Sequence, residues 1–289
     1  MECRLIRPES LENALEERER FGSEAMPIAG GQSLLVMLRN KLISPTALID
    51  LEGLAELRGI KSGRDGMAIG AMTTFYTLLS SPEVKGTIPI LAQAATLVSS
   101  TAIRNLGTIG GNLCHNELGA DLPPALLALN AEVELRSRRG TRTIPLAEFF
   151  RDYFETAVEP DELVCQVTVP KLARGSAGVY LKQAVTPEHL AIVGVAAVVV
   201  PDGMSDGGVS EVRLGLGGVA PVPFRAAKAE AMLRGAVVTD DVIREAAEAA
   251  AAEAEPVTDA HASGQYRRKM VSVFVRRAIA GALGQMEWH

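Results

Sequence analysis

The pattern of apolar positions divides the chain into three stretches. Over residues 1–56 short apolar runs alternate with amphipathic stretches, which predicts β-α-β-α-β. Met1 to Pro8 reads as a strand, and Ser10 is placed to cap a helix with Leu11, Ala14 and Leu15 on one face. A short strand, Met26 to Ala29, then leads through a glycine pair into a helix over Leu34, Leu35, Leu38 and Leu42. Pro45 closes that helix, and Leu48 to Leu51 forms the next strand.

Residues 57–175 remain mixed. Arg64-Asp65-Gly66 is a turn between two short strands, Thr73 or Thr74 caps a short helix, and Ile88 to Val98 is a longer one. Leu122 to Leu129 is helical, with Pro123 and Pro124 tolerated in its first turn. Val133 and Leu135 alternate with Glu132, Glu134 and Arg136 in a half-buried strand. Gly140 turns that strand toward Thr143-Ile144, and Leu163 to Val169 is a further strand.

Residues 176–289 differ in character. Strands at Gly178–Gln183, Ala191–Val200 and Val209–Gly215 are joined by short connections, one of them the Gly/Asp-rich 201–208. Helices follow at about 225–234, 240–254 and 264–282. The pattern predicts an α+β fold in which an antiparallel three-stranded sheet is followed by helices. The domains expected are 1–56, 57–175 and 176–289, the last boundary falling within Lys171 to Gly178.

Composition narrows the function. The net charge of −6 and scattered Lys and Arg residues lack the footprint of nucleic-acid binding. The longest apolar run, Leu190 to Val200, is too short to span a bilayer, and Met1 to Pro8 does not read as a signal peptide, so a cytoplasmic location is expected. Cys3, Cys114 and Cys165 are far apart, and an iron–sulfur cluster needs about four thiolates. Cys3 and Cys165 lie in strand patterns and read as small core residues.

Two segments carry candidate chemistry: Ala29-Gly30-Gly31-Gln32-Ser33 and Arg104-Asn105-Leu106-Gly107-Thr108-Ile109-Gly110-Gly111-Asn112. Successive backbone N–H groups without a Cβ beside them make a concavity for anions, and glycine allows close approach and positive φ. Either segment alone reads as a turn. Together, each with a hydroxyl or amide beside its glycines, they point to a ligand with two phosphates, a bound dinucleotide. The first runs directly into a helix, whose N-terminus favours negative charge by about 0.3–1 kcal/mol. Asp121, thirteen positions beyond Thr108, suits a ribose or ribityl hydroxyl.

Other motifs carry less. No Gly-Lys-Ser/Thr follows either glycine pair at P-loop spacing. Gly215-Leu216-Gly217-Gly218-Val219-Ala220 fits G-x-G-x-x-G and Asp240 stands near the matching acid position. Pro221 and Pro223, however, force extended backbone where a dinucleotide helix should begin, and the preceding strand belongs to an antiparallel run. His115, His189, His261 and His289 have no paired zinc spacing. Lys182, a cation ending a mid-sheet strand, could face a bound anion, although its pattern alone is that of a surface residue.

At these residues the chain resembles the medium, FAD-binding subunit of the molybdenum hydroxylases, the carbon monoxide dehydrogenase and xanthine dehydrogenase family. The resemblance runs through Ala29–Leu35, Ser44-Pro45, Leu48–Leu51, Ile69–Thr74, Ile103–Asn112 and Asp121–Pro124. In the second half it takes in Ala191–Ala196, Gly217–Pro221 and Tyr266-Arg267. It implies a vanillyl-alcohol-oxidase/PCMH-type flavin domain of two α/β subdomains. FAD would be wrapped by Ile28, Ala29, Gly30, Gly31, Gln32, Ser33 and Leu34 and by Thr108, Ile109, Gly110, Gly111 and Asn112. Asp121 would contact the cofactor, Val98 and Leu163 or Val164 would line it, and Lys182 would reach toward the flavin ring. Gln32 and Thr186-Pro187-Glu188-His189 depart from the pattern of many relatives.

The resemblance further implies electron transfer within a complex, a dimer of heterotrimers. A large partner would hold molybdopterin and a small partner two [2Fe–2S] clusters, while this chain passes electrons to an external acceptor. No residue here would do proton chemistry on the organic substrate. A stand-alone FAD oxidoreductase of the same fold, or a scaffold subunit without flavin, are the alternatives.

Overall fold

The computed structural model describes residues 3–203 and 208–286. Met1 and Glu2 of the first expected strand, the middle of the expected 201–208 connection, and His289 lie outside the described residues.

The chain opens with strand β1 (Arg4–Ile6), helix α1 (Leu11–Phe21), strand β2 (Ala25–Ile28), helix α2 (Leu34–Arg39) and strand β3 (Ala47–Asp50). The strands form a parallel sheet of order β1-β3-β2. Ser10 caps α1, its Oγ accepting from the Asn13 N–H at 3.1 Å, and buried Leu11, Ala14 and Leu15 seat the helix on Ile49 and Leu54. The second helix stops at Arg39, short of the predicted Leu42, and buries no residue. With no core face to pack, nothing extends it toward Pro45. Cys3, expected in the core, is exposed beside the three-residue edge strand β1.

The next stretch contains β4 (Ile60–Ser62), β5 (Gly66–Gly70), α3 (Phe75–Ser80), α4 (Pro82–Thr87), α5 (Pro89–Leu97), α6 (Thr101–Leu106), α7 (Ile109–His115) and α8 (Leu122–Ala128). It continues through β6 (Glu132–Ser137), β7 (Gly140–Pro145), β8 (Phe150–Asp152), β9 (Glu155–Thr156) and β10 (Leu163–Pro170). Five strands make an antiparallel sheet of order β4-β5-β10-β6-β7, with an irregularity between Val164 and Gln166. Thr74 caps α3, while the Thr73 hydroxyl bridges the N–H and carbonyl of Gly59.

The last part holds β11 (Ala177–Gln183), β12 (Val193–Pro201), β13 (Val209–Gly217), β14 (Phe224–Arg225), α9 (Ala227–Leu233), α10 (Asp240–Glu253) and α11 (Gly264–Leu283). The sheet is antiparallel with four strands, order β11-β12-β13-β14, and not the three predicted. Arg225, predicted as the start of a helix, instead joins Phe224 in a short strand that pairs with Gly215 and Leu216, because the extended geometry imposed by Pro221 and Pro223 lays the chain along β13. Strand β12 is apolar at every position because both its faces are covered. Ala196 and Val198 join the core beneath α5 and α8, while Val193, Val195, Ala197 and Val199 join that under α10 and α11. Its two-sided burial welds the C-terminal sheet to the rest of the molecule.

Candidate functional site

The two glycine segments meet. A Cβ on Gly30 would fall on the Leu106 carbonyl, so the first segment lies directly against the end of α6. Gly31 has φ +68, where other residues are strained by about 1–2 kcal/mol. The carbonyls of Gly30, Gly31 and Ser33 are taken by Gln32 Nε2 at 2.8 Å, the Leu35 N–H at 3.1 Å and the Met37 N–H at 3.0 Å. Residues 28–34 are all partly exposed, as a ligand cradle requires. Since α2 has only six residues, hydrogen bonding outweighs any helix dipole here.

The second segment differs from the expected open loop. Ile109 to His115 is helical, capped by Thr108, whose Oγ1 accepts from the Gly111 N–H at 3.1 Å. The Ile109 N–H donates to Thr73 O at 3.0 Å, the Gly110 N–H to Ala71 O at 2.8 Å and the Asn112 N–H to Thr108 O at 3.0 Å. These amides are therefore spent on the protein and do not form an anion nest. The glycines serve close approach instead. A Cβ on Gly110 would come 2.7 Å from that of Ala71, and one on Gly111 would lie 3.6 Å from that of Ala29. Asn112 Oδ1 is buried without a partner, which leaves an acceptor in want of a donor such as a ligand hydroxyl. A polyol chain supplies such donors, so the residues present fit FAD.

A second cluster joins the last domain to the flavin-type domain. Asp121 precedes α8 without capping it, and both its oxygens turn to β11. Tyr180 Oη donates to Oδ1 at 2.8 Å and Lys182 Nζ to Oδ2 at 2.9 Å. Nζ also donates to Leu97 O at 2.9 Å, next to buried Val98, so Lys182 is an interior residue and not a surface one. Burial pushes the Asp121 carboxyl up to about 6, against the opposing pull of Lys182 and of the hydrogen bonds from Lys182 and Tyr180. Burial and the adjacent carboxylate push the Tyr180 hydroxyl well above its usual range.

Helix α6 connects the clusters. It starts beyond Val98, where Arg104 Nη1 holds the Val98 and Ser99 carbonyls at 2.8 and 2.5 Å, and it ends against Gly30. Leu163 and Val164 are buried on β10 in two different cores, Leu163 in the one that Ala29 packs against. Tyr180 escaped the sequence reading, which quoted Arg104 and Ala71 within its motifs but gave neither a role of its own. Tyr180 had a signal, since it shares a strand face with Lys182 two positions on. Gly194 must stay small because its Cβ would meet Tyr180 Oη at 2.7 Å.

The G-x-G-x-x-G segment is a packing seam. A Cβ on Gly215 would fall on the Pro124 carbonyl, and one on Gly217 would lie 2.7 Å from Pro124 Cγ. Arg267, buried, donates through Nη1 to Gly218 O at 2.9 Å and Ile192 O at 2.7 Å. His115 ends α7 against Phe154, with ring centroids 5.4 Å apart. Among the described residues no group of three or more His, Cys, Asp or Glu could hold a metal ion, and no helix is long and apolar enough to cross a membrane.

Converging glycine segments on an α/β frame, closed by a pair between Asp121 before α8 and Lys182 of the C-terminal antiparallel sheet, define a cofactor-binding protein of two joined parts. Comparison with known proteins specifies the class. Residues 1–172 match the FAD binding domain in molybdopterin dehydrogenase, and residues 181–282 match the CO dehydrogenase flavoprotein C-terminal domain. The carbon monoxide dehydrogenase medium chain of Hydrogenophaga pseudoflava is 35% identical over 95% of each chain. The glyceraldehyde dehydrogenase medium chain of Sulfolobus acidocaldarius is 34% identical over 94% of this chain and 95% of its own. A chain of the Hydrogenophaga pseudoflava carbon monoxide dehydrogenase lacking the Mo-pyranopterin moiety superposes with TM-score 0.96 at 36% identity, covering 99% of both. The chain belongs to the family of FAD-binding medium subunits of molybdenum hydroxylases, of the carbon monoxide dehydrogenase type. It is an oxidoreductase subunit, and its cofactor is FAD.

Proposed function

We propose that this chain is the electron-transfer subunit of a cytoplasmic molybdenum hydroxylase complex. It takes electrons from [2Fe–2S] clusters on a small partner and passes them to an external acceptor, while a large partner holds molybdopterin and oxidises the substrate. The assembly is a dimer of heterotrimers. Bound FAD supplies the capacity to collect two electrons and release them singly or as a pair. The relatives named above act in complexes that oxidise different substrates, so the reducing substrate is a property of another chain.

The residues of this chain bind and orient. Ile28 to Leu34 and Thr108 to Asn112 take the pyrophosphate and ribityl chain, Asn112 offering its orphaned oxygen to a hydroxyl. Asp121 contacts the cofactor, Val98 and Leu163 or Val164 line it, and Lys182 lies toward the ring. The units proposed are 1–56, 57–175 and 176–289. The observation that carries the reading is the meeting of the two glycine segments at Gly30 and Leu106.

The test is an absorption spectrum of the purified chain, with the acid supernatant compared against FAD and FMN. About one FAD released per chain, followed by capture of a molybdopterin chain and an iron–sulfur chain, is the expected result. A colourless chain that takes up no added FAD would refute it.

A further inference from the structure

Residues 26–46 contain no buried residue, yet helix α2 at their centre is apolar on almost every side. Leu34, Leu35, Val36 and Met37 are consecutive, so their side chains point all round a turn of about 3.6 residues. A helix that is apolar all round belongs in an interior. Here Leu35 and Val36 are 46% and 52% exposed, and Leu42, just past the helix, is 71% exposed. The segment proposed to hold the cofactor ends at Leu34, so the apolar positions beyond it need another cover.

The basic edge of this patch is held in a fixed shape. The Lys41 N–H donates to Leu38 O at 3.0 Å and the Leu42 N–H to Met37 O at 2.9 Å, the paired bonds of a Schellman turn. Lys41 takes φ +57 at the turn position where glycine is usual. A lysine is thus kept there against backbone strain. Arg39 and Lys41 are exposed, and neither has an ion-pair partner among the described residues. Residues 27–49 contain no Asp or Glu, in a chain whose net charge is −6.

We infer that α2 and the turn at Lys41 are the docking surface for the small iron–sulfur chain. The inference rests on the electron-transfer reading above. Two observations select that partner. The helix is six residues long, about 9 Å, and starts directly after the glycine segment, so whatever covers it lies beside the cofactor. Electron transfer falls off steeply with distance, and the chain that delivers electrons to the flavin is the one that must lie there. A [2Fe–2S] cluster held by thiolates is also anionic, which suits an apolar patch edged by two unpaired cations and free of acids. Leu35, Val36 and Leu42 are the apolar anchors of this surface, with Arg39 and Lys41 at its rim.

The test uses the tagged full chain purified from its own host, with iron, acid-labile sulfide, molybdenum and FAD measured per chain after gel filtration. Wild type should carry iron and sulfide in equal amounts. Val36→Glu/Leu42→Glu should lower both by about tenfold or more. FAD content and the Tm of the separately expressed chain should stay unchanged, since both positions are exposed. Arg39→Glu/Lys41→Glu should lower them less, with partial recovery as added salt screens the repulsion. Iron retained in both variants, molybdenum lost while iron stays, or FAD lost together with iron would each overturn the docking assignment. So would wild-type binding to phosphatidylglycerol vesicles that the same variants abolish, which would assign the patch to a lipid surface. Wild type that holds FAD but captures neither iron nor sulfide would sink the electron-transfer reading itself.

Discussion

Asp121 and Lys182 form a buried ion pair at 2.9 Å between two domains, with their side chains 4% and 3% exposed. The pair fixes the C-terminal sheet against the start of α8, and Tyr180 holds the other carboxylate oxygen. Such a pair is costly to build and costlier to break, because the survivor is left charged in a dry interior. Lys182→Met should therefore lower stability by about 3–5 kcal/mol near neutral pH, measured by urea unfolding. Asp121 can escape the penalty by taking up a proton, so the loss should shrink at pH 5.

The wild-type pH dependence has a definite sign. The Asp121 carboxyl lies near 6 in the folded chain against an ordinary 3.8. Between those values the folded state holds a proton that the unfolded state has released. The stability from this group is thus full below about pH 4 and is lost as pH rises through about 6. Stability of wild type relative to Asp121→Asn should fall across that window, as read from paired urea titrations at pH 4.5 and 7.5. A flat difference would mean that Lys182 holds the carboxylate ionised throughout.

How far this site could be read from residues alone depended on the range of the interactions. Ser10, Thr74 and the alternation of Val133 and Leu135 are local signals, and α1, α3 and β6 start where they indicate. The helix at Ile109 to His115 is not a local outcome. Two adjacent glycines each cost a helix about 1 kcal/mol, and the segment becomes helical because Thr73 and Ala71, far back in the chain, accept its first amides. Lys182 carried the same difficulty: the alternation of β11 cannot reveal that the sheet face bearing Lys182 is covered by α5. The family resemblance, not periodicity, singled it out.

Arg18 should prove as important as any cofactor residue. It is buried on α1, donating to Ala25 O at 2.6 Å, Gly22 O at 3.1 Å and Glu162 O at 3.3 Å, so it ties the N-terminal sheet to the end of the turn before β10. Burial lowers its guanidinium from the usual value. Arg18→Met keeps the volume and strands those acceptors, at a cost of about 3 kcal/mol or more. Thermal unfolding should show this as a lowered Tm, and Arg18→Lys should recover only part of it because an ammonium cannot reproduce the planar fork.

The glycine segments make the sharpest prediction about cofactor loading, because their two roles separate by substitution. Gly110→Val would drive its side chain into the Ala71 backbone, and Gly30→Val would strike Leu106 O. Either should push the segments apart and abolish FAD retention, while the C-terminal core of β12, α10 and α11 stays folded. Thr108→Ala is gentler: it removes the cap from the Gly111 N–H and should cost about 1 kcal/mol. That variant should retain FAD with weaker affinity, and Thr108→Ser should restore it. FAD per chain after gel filtration, alongside near-ultraviolet circular dichroism, measures both effects. Full FAD content in both valine variants would show that close contact between Gly30, Leu106, Gly110 and Ala71 is not what builds the site.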